Sequence, residues 1–146
     1  MSRFNNEQFV ASWIEAVNAD STFNAVTRWF DGSILVSDGA GQCWLKVYAG
    51  TVIDRLAFMP PLGYTFKLSA PEWAWDELVS GRTFSDLFLG GKRRFDGLDD
   101  FAGDPARTPG TFTIEGDLMS AHRVIGAIYA IADQYAATAR TSEVAV

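Results

Sequence analysis

Thr111-Phe112-Thr113-Ile114-Glu115-Gly116-Asp117-Leu118 decides how this chain folds. Side chains alternate along it: Thr111, Thr113 and Glu115 face one side, Phe112 and Ile114 the other, which is the two-residue period of a strand. Gly116 stops the strand. Asp117 can then accept the free N–H groups of a following helix. Apolar residues recur at Leu118, Ala121, Val124, Ile125, Ile128, Ile131, Ala132 and Tyr135, a helical spacing with a wide apolar face. The sequence therefore predicts a strand passing directly into a C-terminal helix over residues 117–139, whose face must lie on something large and apolar.

The preceding residues supply a sheet to receive it. Phe30, Gly32, Ile34 and Val36 alternate with Asp31, Ser33, Leu35 and Ser37. Asp38-Gly39-Ala40-Gly41 is a hairpin turn. Cys43, Leu45 and Val47 alternate with Trp44, Lys46 and Tyr48, and Ala49-Gly50 marks the next turn. Residues 51–58 read as a third strand, with Val52, Asp54, Leu56 and Phe58 on one face. Met59-Pro60-Pro61-Leu62-Gly63 cannot continue a ladder. A fourth strand follows, with Tyr64, Phe66 and Leu68 alternating with Thr65, Lys67 and Ser69.

Helical patterns flank the strands. Asn5 or Asn6 can cap a first helix over about 5–19, with Phe9, Val10, Trp13, Ile14 and Val17 on one face. Ser69-Ala70-Pro71-Glu72 reads as a capping box before a helix over 72–80 that Gly81 ends. A short helix over 84–89 stops at Gly90-Gly91. Residues 92–110 show no regular pattern and are long for a connection inside a compact domain. They mix aspartates and glycines with Phe95, Leu98 and Phe101, and read as a mobile lid or rim whose aromatic residues turn inward.

At 146 residues the chain is expected to be a single domain, 1–146, with room for one real core. A net charge of −6 disfavours phosphate backbones and anionic lipid surfaces, so no nucleic-acid partner is expected. No apolar run is long enough to span a bilayer, so no stable membrane insertion is expected. One cysteine excludes an internal disulfide. Together these features fit a cytoplasmic protein. The aromatic load, 14% of residues, exceeds what a minimal core needs and points to a lined cavity or a partner surface.

Catalytic patterns are scarce. His122, the single histidine, falls in the first turn of the last helix without a nucleophile motif beside it. It reads as a surface polar residue rather than a general base at a pocket mouth. The acidic stretch from Asp96 to Asp104 does not match a calcium loop. Asp38-Gly39-Ala40-Gly41 lacks the phosphate-loop lysine and leads into a strand. No catalytic residue, metal ligand or cofactor is assigned from these patterns.

Order and residues together resemble the sterol carrier protein 2 (SCP2) family of lipid-binding domains. The resemblance rests on three segments: the meander over 30–58 with Gly50-Thr51-Val52 opening its third strand, the passage from Tyr64-Thr65-Phe66-Lys67-Leu68-Ser69 through Trp73 to Ser80-Gly81-Arg82, and the closing Phe112–Leu118 stretch. It implies an α+β fold: a five-stranded, mainly antiparallel sheet covered by helices, with an apolar tunnel between them. It also implies noncovalent binding of sterols, fatty acyl chains or similar ligands without catalysis. The expected pocket lining is Trp75, Leu78, Phe84, Phe88, Phe95, Phe101, Phe112, Ile114, Ile125, Ile128 and Tyr129. The expected partner is a hydrophobic small molecule; a partner enzyme and a homodimer are both compatible with the pattern. The long 92–110 stretch departs from the family. A competing reading is a small isomerase or cyclase, or an enzyme accessory subunit, acting on a polycyclic or polyketide-like substrate. That chemistry needs a carboxylate in an apolar pocket, and Asp54 with Tyr64 or Tyr48 is the pair to inspect. A third is a noncatalytic module that docks through exposed tryptophans.

Overall fold

Five strands form one sheet in the order β3-β2-β1-β4-β5 in the computed structural model, which describes residues 2–89 and 112–144. They are β1 (Asp31–Ser37), β2 (Gln42–Tyr48), β3 (Thr51–Leu56), β4 (Phe66–Ser69) and β5 (Thr113–Gly116). β1 pairs antiparallel with β2, β2 with β3, and β4 with β5; β1 and β4 run parallel, Ile34 opposite Phe66 and Val36 opposite Leu68. The expected mainly antiparallel, five-stranded α+β architecture is therefore present.

One face of the sheet carries Ile34, Val36, Cys43, Leu45, Val47, Val52, Phe66 and Leu68 into the core. The other face is not bare. Residues 57–65, linking β3 to β4, pass over it, and Trp44 donates from Nε1 to the Gly63 carbonyl at 3.0 Å. Leu35, which shares that face, is buried. β1 is consequently buried on both sides, beyond what its alternation with Asp31 and Ser33 suggests.

The third strand departs from the expected pattern. It ends at Leu56, and its register with β2 shifts between Lys46 and Val47, so that Val52 lies opposite Val47 and Asp54 opposite Lys46. Ile53 is the extra residue of a bulge. Downstream side chains change face: Asp54 points away from the core, and Arg55, opposite Leu45, reaches the helical side and pairs with Glu7.

Among the described residues, six α-helices lie on the core side: α1 (Glu7–Ala19), α2 (Ser21–Val26), α3 (Glu72–Ser80), α4 (Phe84–Leu89), α5 (Leu118–Arg123) and α6 (Ile125–Val144). Asn6 caps α1, its Oδ1 accepting the N–H groups of Gln8 and Phe9, both at 3.1 Å. A 3-10 turn, Arg3–Asn5, precedes it and is capped by Ser2, whose hydroxyl also donates to the buried Asp38 at 2.6 Å. The capping box before α3 does not form. Pro71 occupies the cap position without a side-chain bond, because Ser69 ends β4 and its hydroxyl meets Thr113 Oγ1 across the ladder at 3.1 Å. Gly81 ends α3 as expected, with Arg82 N–H bonded to the Glu77 carbonyl.

The C-terminal helix is two helices. The ladder breaks at Val124 (φ −114°, ψ 30°), and the second helix continues past residue 139 to Val144. α6 buries Ala127, Ile128, Ala130, Ile131, Ala132, Tyr135, Ala136 and Ala139, too many positions for one stripe. It packs against α1, α2 and α3 and shares one core with the sheet face. Small residues permit the approach; a Cβ at Gly126 would lie 3.1 Å from Val26.

Most of the aromatic load forms one core. Ring centroids run Trp13–Phe4 (5.5 Å), Phe4–Trp75 (5.4 Å), Trp75–Phe112 (4.8 Å), Phe112–Phe84 (5.0 Å) and Phe84–Tyr129 (5.0 Å). Both buried indoles are satisfied, Trp13 by the Ile131 carbonyl and Trp75 by the Ser37 carbonyl. Tyr135 receives a bond from Arg3 at 3.1 Å, and burial pushes its phenol up to about 12. Of the five tryptophans only Trp29, 88% exposed, is presented fully to solvent.

Candidate functional site: an apolar cavity beside the helix break

Gly116 sets the corner from which the site is built. Its φ of 105° lies in the left-handed region, and a Cβ there would sit 2.8 Å from the Thr65 carbonyl oxygen. That oxygen is held in place by the Asp117 N–H at 2.9 Å. β5 therefore turns sharply into α5. Asp117 caps α5, accepting from Ser120 N–H at 3.1 Å and Ser120 Oγ at 2.7 Å. Those two bonds hold its carboxyl below the usual range.

α5 and the start of α6 then wall a cavity of about 500 Å3 with Phe88 of α4 and Ile114 of β5. The helical contribution is Leu118, Ala121, His122, Ile125 and Tyr129, a stripe at spacings of three and four that crosses the Val124 break. The volume is within the roughly 300–1,000 Å3 of small-molecule pockets. Leu118 and its neighbour Met119 are 59% and 70% exposed, so this end of the stripe opens to solvent. Tyr129, half-buried, sets its ring edge against Phe84, which also stacks on Phe88 at 5.3 Å.

Four of the expected lining residues, Phe88, Ile114, Ile125 and Tyr129, come together at this cavity. Trp75, Leu78, Phe84, Phe112 and Ile128 do not line it: all are within 2% of complete burial in the solid core. Phe95 and Phe101, with the whole lid assigned to 92–110, lie outside the described residues. Leu118, Ala121 and His122 belong to the lining and were not among the expected residues. Their signal was present in the spacing, since each lies on the same helical stripe as Ile125 and Tyr129. The tunnel that the resemblance implies is not shown by the described residues.

A second cavity of about 390 Å3 lies between α1 and the β2–β3 edge, lined by Phe4, Glu7, Val10, Cys43, Asp54, Arg55, Leu56 and Ala57. Within it Arg55 pairs with Glu7, and the Glu7 carboxyl is lowered by that contact. Burial pushes the Cys43 thiol up to about 12, away from nucleophilic character. Asp54 is exposed and accepts the N–H of Arg55, so it is not the buried carboxylate that an isomerase would need, and Tyr48 is 54% exposed. Among the described residues no cluster of His, Cys, Asp and Glu could hold a metal ion, and no helix is long and apolar enough to cross a membrane.

No family model matches the sequence, and no curated protein matches it. Solved structures do. A conserved hypothetical protein from Thermus thermophilus, named as a candidate sterol carrier, superposes with a TM-score of 0.56 at 15% identity, over 92% of this chain and 86% of its own. A crystal structure of sterol carrier protein 2 superposes with a TM-score of 0.53 at 14% identity, over 92% and 95%. The chain thus has the SCP2-like fold that the resemblance implied.

Proposed function

We propose that this chain binds and carries an apolar small molecule, without catalysis, in the cavity bounded by α4, β5, α5 and α6. The observation that carries this reading is the cavity's lining: Phe88, Ile114, Leu118, Ala121, Ile125 and Tyr129 around about 500 Å3, with the exposed His122 beside them. Support comes also from the fold, which it shares with a protein named for carrying sterols. A ligand of roughly 20–28 heavy atoms, at about 0.3 kcal/mol each, would bind near the micromolar range. That strength suits a carrier that must release its cargo.

Titration with a fluorescent fatty acid and a fluorescent sterol tests the proposal. Saturable binding at micromolar or tighter levels, displaceable by unlabelled lipid, is the expected result. Absence of displaceable binding by both probes would remove the carrier reading.

A further inference from the structure

Residues 57–65 carry the chain from β3 to β4 across the outer face of the sheet, on the side away from the described helices. The stretch Ala57-Phe58-Met59-Pro60-Pro61-Leu62-Gly63 holds no ionisable side chain. Connections that run over a protein surface are ordinarily polar. Here Phe58 is 58% exposed, Met59 46% and Leu62 95%.

Hydrogen bonds build this exposure into the fold. The Gly63 N–H closes a β-turn on the Pro60 carbonyl at 2.9 Å, with Pro61 and Leu62 as its two central residues. The Gly63 carbonyl accepts Trp44 Nε1 from the sheet below at 3.0 Å. Two residues on, the Thr65 N–H bonds to the Ser33 carbonyl at 2.9 Å, and Thr65 Oγ1 accepts the Ser33 N–H at 3.0 Å. The sheet thus holds the turn from its C-terminal side, and Leu62 stands at the apex.

Size and shape decide what meets the tip. Phe58, Met59 and Leu62 expose a few hundred Å2 between them, against the roughly 800 Å2 per partner of a stable protein interface. A second copy of the chain would need a larger surface than the turn offers. A lipid bilayer needs no matching surface: apolar side chains on an uncharged, projecting tip leave water at the boundary of head groups and acyl chains. A bilayer is also where a carrier of apolar molecules would meet its cargo.

We propose that the Phe58–Leu62 tip is a shallow, reversible anchor for a zwitterionic bilayer surface. The choice of lipid as occupant rests in part on the carrier reading, so the test is made without cargo.

Co-sedimentation with sucrose-loaded phosphatidylcholine vesicles is measured for the full chain, for Leu62→Asp and for Phe58→Ser. Both substitutions are at exposed positions, and an unchanged melting curve verifies each fold. The parent should partition onto the vesicles. Leu62→Asp should lower the partition coefficient by about tenfold or more, the size of one leucine side chain kept in water, and Phe58→Ser should act in the same direction. A fluorophore locates the contact. The buried Cys43 thiol, pushed up to about 12, leaves an NBD iodoacetamide to react at Leu62→Cys. NBD at 62 should brighten and shift to the blue on the vesicles, and NBD at the exposed Gln8→Cys of α1, across the sheet, should not. Failure of the parent to partition, partitioning that requires phosphatidylserine, or partitioning that survives Leu62→Asp would overturn the anchor. A parent dimer in solution that Leu62→Asp dissolves would overturn it in favour of a second copy. In each of these cases saturable binding of a fluorescent fatty acid or sterol would leave the carrier reading standing.

Discussion

Cys43 and Gly116 show how single positions fix chemistry and geometry here. The Cys43 thiol faces the core from β2 at 2% exposure, and desolvation raises it to about 12. The thiolate is the reactive form, so Ellman's reagent at pH 8 should leave Cys43 unmodified in the folded protein and react with it fully in guanidinium. Rapid modification of the native protein would mean that this edge of the sheet opens. Gly116 has a positive φ and no room for a Cβ against the Thr65 carbonyl. Gly116→Ala should therefore cost about 1–3 kcal/mol, read as a lower urea midpoint at unchanged slope. A midpoint equal to the parent's would show that the β5–α5 corner relaxes freely.

Elements were legible wherever their signals were local. Asn6 before Phe9-Val10, the Asp38-Gly39 and Ala49-Gly50 turns, and Gly116-Asp117 before Leu118 each carry their own stereochemical reason, and each stands where the sequence indicated. Signals that depend on a distant partner were not legible. The bulge at Ile53 is a property of the β2–β3 register, and the parallel β1–β4 pairing joins residues remote in sequence, such as Ile34 and Phe66. The break at Val124 has no proline to announce it. Ser69 looked like a helix cap because its cross-strand partner, Thr113, is remote in sequence. For α6 the enclosure is stronger than a one-faced helix would need, and Ile128 is fully buried at its centre. Ile128→Asp would leave an unpaired carboxylate there, at several kcal/mol of a typical 5–15 kcal/mol stability. Insolubility, or a melting temperature lower by about 10 °C or more, is expected. An unchanged melting curve would contradict the packing of α6 between α1, α2 and α3.

At the scale of the whole molecule, aromatic core and cavity occupy different ends of the same helical layer. The ring contacts that begin at Phe9 and Trp13 fill the α1 side and end at Phe84, Phe88 and Tyr129, where the cavity starts. Sequence reading recognised that the aromatic residues were in excess, but composition does not say which rings pack on each other and which face a space. That division depends on α4, β5 and α5 meeting at one corner, from positions far apart in the chain. It also makes stability and binding separable by mutation. Ile128 and Trp75 belong to the core, so changing either would confound the two properties. Ile125 is half-buried and faces the cavity, where the described residues leave room for a larger side chain. Ile125→Trp should fill much of that space at little cost to packing, because overpacking strain arises where surrounding atoms have no room. The melting temperature should stay within a few degrees of the parent's, while affinity for a fluorescent sterol or parinaryl probe falls by about tenfold or more. The same substitution should leave Ellman's reactivity of Cys43 unaltered, since the second cavity lies at the opposite end of the sheet order, by β2 and β3. Undiminished probe binding by a stably folded Ile125→Trp protein would locate the ligand elsewhere and dissociate the α4–β5–α5–α6 cavity from carriage.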